Sequence, residues 1–304
     1  FIRMQDDFNC YFFIADIHSL TTHPTPQNLQ AGVKQVLAEY LACGIDPEKS
    51  TIFAHSAVPA LNQLMIPFLS LVTESELHRN PTVKAELQAT GGRAMSGLLL
   101  TYPVHQAADI LFCKANLVPV GQDQLPHIEL TRQIASRFDR RYGRDSAGNP
   151  VFRRPDALLS KAPAILGTDG TKMSKSRGNT IELGMSADET AKILKKAKTD
   201  SNRVITYDPI ARPEVSNLLL LASMASDEEP EAIAQRIGDG GGGVLKATVT
   251  EAINDHLAPL RARRAELEAD PGYLLSVLEA GITQANETAN ATLLQAREAM
   301  GMVY

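Results

Sequence analysis

The sequence predicts an α/β fold: a parallel sheet with helices on both faces, followed by an all-helical C-terminal region. Three observations carry that expectation. Short apolar runs alternate with segments of helical periodicity through the first half. Polar segments, Asp16-Ile17-His18, His55-Ser56 and Gly121-Gln122-Asp123-Gln124, follow directly on the predicted strands, where parallel sheets place their ligands. Beyond Leu183 only helical periodicity remains, opened by the capping pattern Ser186-Ala187-Asp188-Glu189.

The elements read in order as follows. Phe8 to Asp16, FNCYFFIAD, is a near-continuous apolar run ending in a charge, as expected of a strand buried on both faces. Thr25-Pro26 opens a helix with a capping hydroxyl and a proline at the first helical position. Leu29, Val33, Val36, Leu37, Tyr40 and Leu41 form its apolar stripe, and Gly44 ends it. Thr51 to Ala54 is the next strand. Helices are expected over Val58–Leu71 and Tyr102–Ala115, and a short strand over Leu117–Val120. Gly121 begins a turn into a helix carrying His127, Leu130 and Ile134, closed by Gly143. Further helices are expected over Asp188–Lys198, Glu214–Ala225, Pro230–Ile237, Val244–Glu266 and Gly272–Met300, with Gly238 to Gly243 a flexible turn. The domain boundary falls at Leu183, giving 1–183 and 184–304, with the last helix a candidate to pack back on the first domain.

Composition narrows the function classes. The 304 residues carry a net charge of −5, so any nucleic-acid surface is local rather than global. Cys10, Cys43 and Cys113 are widely spaced and odd in number, which suits a reducing compartment and offers no disulfide framework or zinc spacing. No apolar run reaches the roughly 18 residues of a membrane span, and no leader pattern is seen. These features point to the cytoplasm. The chain starts at Phe1 without an initiator Met, as if upstream residues were missing.

One loop stands out. GTDGTKMSKSRGNTI, Gly167 to Ile181, holds Lys172, Lys175 and Arg177 within six positions, flanked by glycines. Lysines three apart on a movable loop suit a polyphosphate that gains charge during reaction, and Ser174 and Ser176 add hydroxyl donors. A solvated surface linker has the same composition, so spacing alone leaves both readings open.

Other residues add to the pattern. KMSKS, Lys172 to Ser176, matches the second signature of class I aminoacyl-tRNA synthetases. TYPVHQAADILFCKANLVPVGQDQLPHIELTR, Thr101 to Arg132, closely resembles the tryptophanyl branch, as do NCYFFIADIHSLT, SAVP at Ser56 to Pro59 and RPEVSNLL at Arg212 to Leu219. The resemblance spans essentially the whole chain.

That resemblance implies a Rossmann-like catalytic domain, 1–183, ending in the KMSKS loop, and a helical anticodon-binding domain, 184–304. It implies activation of L-tryptophan by ATP with Mg2+, transfer to tRNA(Trp), and a homodimer. Lys172 and Lys175, with Ser174, would hold the leaving pyrophosphate, Met173 would approach the adenine, and Ile165 lies near another adenine contact. Gly121, Gln122 and Asp123 would lie by the ribose and phosphates, alongside Ser176 of the loop. Asp109 would accept the indole N–H, an atom that can only donate. Tyr102 and Gln124 would face the amino and carboxylate groups. His18, Val118, Val120 and Gln106 would line the pocket. No residue is singled out as a metal ligand.

Without the resemblance, Asp109 in AADILF reads equally as a structural hydrogen-bonder, His18 as a core histidine, and Asp123 as a helix cap. The chain also departs from the family. The first signature, a HIGH-like segment, has no match and would lie before Phe1. Gln106 stands where many members carry Met, and His105 where Leu is common, which makes the pocket wall more polar. Two other readings follow: a non-catalytic tryptophan- or nucleotide-binding paralogue, and a tyrosyl relative. Basic clusters at Lys192, Lys195, Lys196 and Lys198, and at Arg261, Arg263 and Arg264, are candidate tRNA contacts or solvated helix faces.

Overall fold

The computed structural model describes residues 2–22, 25–89, 95–144, 147–159, 165–173 and 177–304. They form two compact units, Phe1–Lys161 with Pro271–Tyr304, and Ala162–Asp270. The last helix thus belongs to the first unit, and the second unit starts upstream of the loop that precedes Leu183.

In the first unit β1, Cys10–Ile14, runs parallel to β2, Ser50–Ala54, with Cys10 opposite Ser50 and Ile14 opposite Ala54. The crossover is helix α1, Pro26–Ala42, whose Thr25 hydroxyl accepts from the Asn28 amide at 3.3 Å. Gly44 ends it at φ 99°, a conformation that favours glycine. Every residue of β2 is buried, whereas β1 is mostly half-buried. The expectation of burial on both faces therefore describes β2 better than β1.

Then follow α2, Pro59–Leu69, α3, Glu74–Arg79, α4, Pro81–Ala89, and α5, Gly97–Leu111. Strand β3, Leu117–Val120, leads through a 3-10 turn at Gln122–Gln124 into α6, Leu125–Tyr142. A strand not expected from the sequence, β4 over Asp156–Leu159, pairs parallel with β3. Its four residues DALL are mainly exposed and show no alternation, so no periodicity marks it.

In the second unit, α7, Ala187–Lys195, opens with the Ser186–Glu189 capping box. Helices α8, Pro213–Ser226, α9, Pro230–Ile237, and α10, Gly241–Glu268, pack around Leu194, Leu218, Leu219, Leu245 and Val249. The Gly238–Gly243 run differs from the flexible turn expected of it. Gly241 to Gly243 form the first turn of α10, and a Cβ at Gly242 would stand 2.9 Å from the Thr199 hydroxyl. Close packing, not hinge motion, accounts for glycine there.

Helix α11, Pro271–Ala299, returns to the first unit and lies on β2. A Cβ at Gly281 would sit 1.8 Å from the Ile52 carbonyl oxygen, so only glycine permits this approach. Ala285, Ala289 and Ala296 are fully buried along the same stripe. The Thr292 hydroxyl donates to the Phe112 carbonyl at 2.6 Å, and the Asn286 amide to the Ala57 carbonyl at 2.8 Å. Together these pin α11 beneath the strand ends that carry polar side chains.

Candidate active site

Asp16, just past β1, fixes the two strand ends to each other. Its carboxylate accepts from the Ile17 and Ser56 amides, each at 2.9 Å, and from the Ser56 hydroxyl. That bracing sets the places of His18, in the 3-10 turn after β1, and His55, at the end of β2. Both imidazoles reach Asp109, which α5 presents near its C-terminal end; the Ser96 hydroxyl caps that helix.

Asp109 is buried, 4% exposed. His18 Nε2 donates to Asp109 Oδ2 at 2.7 Å. His55 Nδ1 approaches Oδ1 at 3.1 Å, but without hydrogen-bond alignment, so that oxygen has no partner among the described residues. Burial lifts the Asp109 carboxyl to about 6, with the His18 contact pulling the other way. Burial lowers His55 to about 3, aided by the neighbouring His105 and His18. Burial, then His18, lowers His105 to about 4. The two inner rings are therefore neutral at pH 7, and the His55–Asp109 approach is a dipolar contact rather than an ion pair.

The three rings crowd together. His55 and His105 have centroids 4.3 Å apart, and His18 and His105 4.6 Å. His105 Nε2 donates to the Asn62 carbonyl oxygen at 2.9 Å, which leaves its Nδ1 as a lone pair. The sequence marked His18 and Asp109. It noted His55 only as a polar residue after a strand and His105 as a departure, because spacing does not reveal that His55 approaches the Asp109 carboxylate or that the His105 ring packs on those of His18 and His55.

The remaining first-unit candidates lie around the turn after β3. Gln106 Nε2 donates to Gln124 Oε1 at 3.4 Å, and Gln124 Nε2 to Asp123 Oδ2 at 3.2 Å. Tyr102 OH stands 3.3 Å from His127 Nε2. A Cβ at Gly121 would meet the Asp123 carboxylate at 2.8 Å, so glycine lets that side chain fold over the turn. Gln122 and Asp123 are exposed; Val118 and Val120, on β3, are half-buried.

In the second unit, Ile165 and Met173 are half-buried and Lys172 is exposed. Ser174, Lys175 and Ser176 lie outside the described residues. Two buried asparagines brace the loop on either side of them. Asn217 pairs through its amide with the backbone of Leu166, at 2.8 and 3.1 Å. Asn179 donates to Asp169 Oδ1 at 2.8 Å and to the Lys172 carbonyl at 3.2 Å. A Cβ at Gly167 would collide with Asn179 at 2.2 Å, which accounts for glycine at that position.

The basic clusters divide. Arg261 ties the Met185 carbonyl, Asn254 and Thr190 together, Arg263 and Arg264 pair with Glu266 and Glu268, and Lys198 pairs with Glu214. Lys192, Lys195 and Lys196 are the exposed remainder of the two clusters.

Three comparisons with known proteins bear on the site. Residues 1–258 match the family model described as tRNA synthetases class I (W and Y). The chain is 40% identical to the tryptophan–tRNA ligase of Treponema pallidum over 99% of its length and 90% of that protein. It is 40% identical to the corresponding ligase of Thermosynechococcus vestitus, over 98% and 91%. Its fold is similar, with TM-score 0.83 at 29% identity, to tryptophanyl-tRNA synthetase from Campylobacter jejuni complexed with ADP and tryptophan, covering 99% of this chain and 92% of that one. A tyrosyl-tRNA synthetase from Archaeoglobus fulgidus shares the fold at TM-score 0.63 and 20% identity.

Proposed function

The chain belongs to the class I tRNA synthetases of the W and Y type, and from that membership we infer that its buried Asp109 receives the indole of tryptophan. The reaction is tryptophan–tRNA ligation, the activity of relatives matched over nearly the whole chain. The tryptophan carboxylate attacks the α-phosphate of ATP. The bond to the β-phosphate breaks, giving tryptophanyl-adenylate and pyrophosphate. The ribose hydroxyl at the tRNA 3′ end then attacks the activated carbonyl, and AMP leaves.

No protein nucleophile enters these steps, so catalysis is positioning and charge stabilisation. Asp109 supplies the acceptor for the indole N–H. The observation that supports this role is its divided carboxylate: Oδ2 is held by His18, and Oδ1, with His55 Nδ1 misaligned at 3.1 Å, has no hydrogen-bond partner among the described residues. A buried carboxylate oxygen in that state favours a ligand donor strongly. Val118 and Val120 flank the ring, and Gln106 forms a polar part of the wall. Tyr102 and Gln124 take the amino and carboxylate groups.

Gly121, Gln122 and Asp123 lie by the ribose and phosphates. Ile165 and Met173 border the adenine. Lys172 and Lys175, with Ser174 and Ser176, hold the pyrophosphate as it departs, and Asn179 and Gly167 give that loop its fixed ends. Mg2+ arrives with ATP as part of the substrate.

The helical region, with Lys192, Lys195 and Lys196 exposed, contacts tRNA. The protein acts as a cytoplasmic homodimer. Three unpaired cysteines suit that compartment, and among the described residues no helix is long and apolar enough to cross a membrane.

The test is tryptophan-dependent exchange of pyrophosphate into ATP by the full-length protein. Exchange with tryptophan and not tyrosine is expected. Exchange supported by tyrosine instead, or by neither, would reject the reading.

A further inference from the structure

We propose that His18, His55 and Asp109 also form a binding site for a borderline divalent transition metal such as Zn2+ or Co2+, and that such an ion excludes tryptophan from the pocket. One donor atom from each residue lies within 4.8 Å of the others. Donors sharing one ion at about 2.1 Å stand roughly 3 to 3.5 Å apart, so shifts of an ångström or so gather these three. Two imidazoles and a carboxylate are a ligand set for zinc, cobalt, nickel or ferrous iron. Magnesium disfavours imidazole and would not compete.

Polar atoms without partners converge here. His55 is fully buried, yet among the described residues neither ring nitrogen has a hydrogen-bond partner, and the same is true of Asp109 Oδ1 and His105 Nδ1. A cation would satisfy His55 Nδ1 and Asp109 Oδ1 together. His105 adds a further lone pair close by, its tautomer fixed by Asn62 in the manner of an outer-shell metal partner. Its ring lies 4.3 Å from that of His55. Binding displaces the proton that His18 Nε2 shares with Asp109, either to Nδ1 of the same ring or to solvent.

The exclusion of tryptophan rests on the assignment of Asp109 to the indole; the metal site does not. A metal-ligated carboxylate has lost the oxygen that the N–H would take.

Metal-free protein is titrated with Co2+ in the presence of Mg2+, and the visible bands of low-coordinate cobalt are followed. One equivalent is expected to bind. His55→Gln is expected to weaken it by about tenfold or more, while His78→Gln, on the exposed face of α3, leaves it unchanged. Asp109→Asn, which keeps the side-chain volume, is expected to show the same loss as His55→Gln, so a folding defect in one variant does not decide the outcome. Absence of bands, or bands that survive both variants, overturns the site. Bands that appear but are indifferent to added tryptophan keep the site and overturn the assignment of the indole to Asp109.

Discussion

His18 Nε2 lies 2.7 Å from one oxygen of Asp109, on an element ninety-one positions away in the chain, and the other oxygen has no hydrogen-bond partner among the described residues. This division assigns the two residues different tasks. His18 favours the ionised carboxylate, and the proposed task of Asp109 is to receive the substrate donor.

Replacing His18 with Ala removes a bond that holds the Asp109 carboxyl down against the effect of burial. The carboxyl should then titrate higher, and each unit of rise is worth about 1.4 kcal/mol between the two protonation states. The expected outcome is a tryptophan KM raised roughly tenfold at pH 7, with much of the loss recovered at pH 8. Steady-state exchange kinetics at the two pH values measure it.

Tryptophan affinity should depend on pH through Asp109 itself. In the proposed role the ionised carboxylate accepts the indole N–H, and burial raises its pKa to about 6. Above that value affinity is level; below it, affinity should fall about tenfold per unit as the acceptor is protonated. The chain contains no Trp, so the fluorescence of the ligand reports binding directly.

Acid should also destabilise the fold. His55 and His105 titrate near 3 and 4 when folded, against 6.5 for an ordinary histidine. The unfolded chain binds more protons within that window, so their contribution is complete above pH 6.5 and is lost as pH falls through the folded values. Asp109, raised from 3.8 to about 6, has the opposite sign, its contribution being lost as pH rises through 6. Two groups outweigh one. His105→Leu should flatten the acid limb by about 1.4 kcal/mol per pH unit between pH 6 and 5, read from urea melts.

Lys172→Ala tests the loop. Removing one donor aimed at developing charge typically costs about 10²- to 10³-fold in kcat. Tryptophan KM should change little, because the proposed role of the lysine is on phosphate. A rise in tryptophan KM with kcat unchanged would show the lysine acting on substrate binding instead.

Gly281→Ala tests how α11 is seated. The added methyl would overlap the Ile52 carbonyl, which is backbone and cannot turn aside. Overpacking of this kind costs about 1–3 kcal/mol, and β2, with His55 at its end, should shift with it. Both thermal stability and exchange activity are expected to fall.

Much of this was legible in the sequence. Long periodic helices were, down to the ends of α9. Asp109 and His18 were marked by their matching segments. What escaped was relational. His55 approaches the Asp109 carboxylate, and the His105 ring packs on His18 and His55, only because Asp16 ties β1 to β2 and α5 lies beside those strand ends. Strand β4 carries no alternation, and the glycines opening α10 look like a hinge until the close approach of Thr199 is known.

The central claim is that Asp109 grips the indole nitrogen. Its most direct test compares tryptophan with benzothienylalanine, in which sulfur replaces the N–H, on the parent protein and on Asp109→Ala. A hydrogen bond to a charged group is worth about 1.5–3 kcal/mol, so the parent should prefer tryptophan by roughly 10- to 150-fold. The variant should bind the two within about a factor of two of each other. If the variant retained the full preference, or the parent showed none, Asp109 would not be the indole's partner.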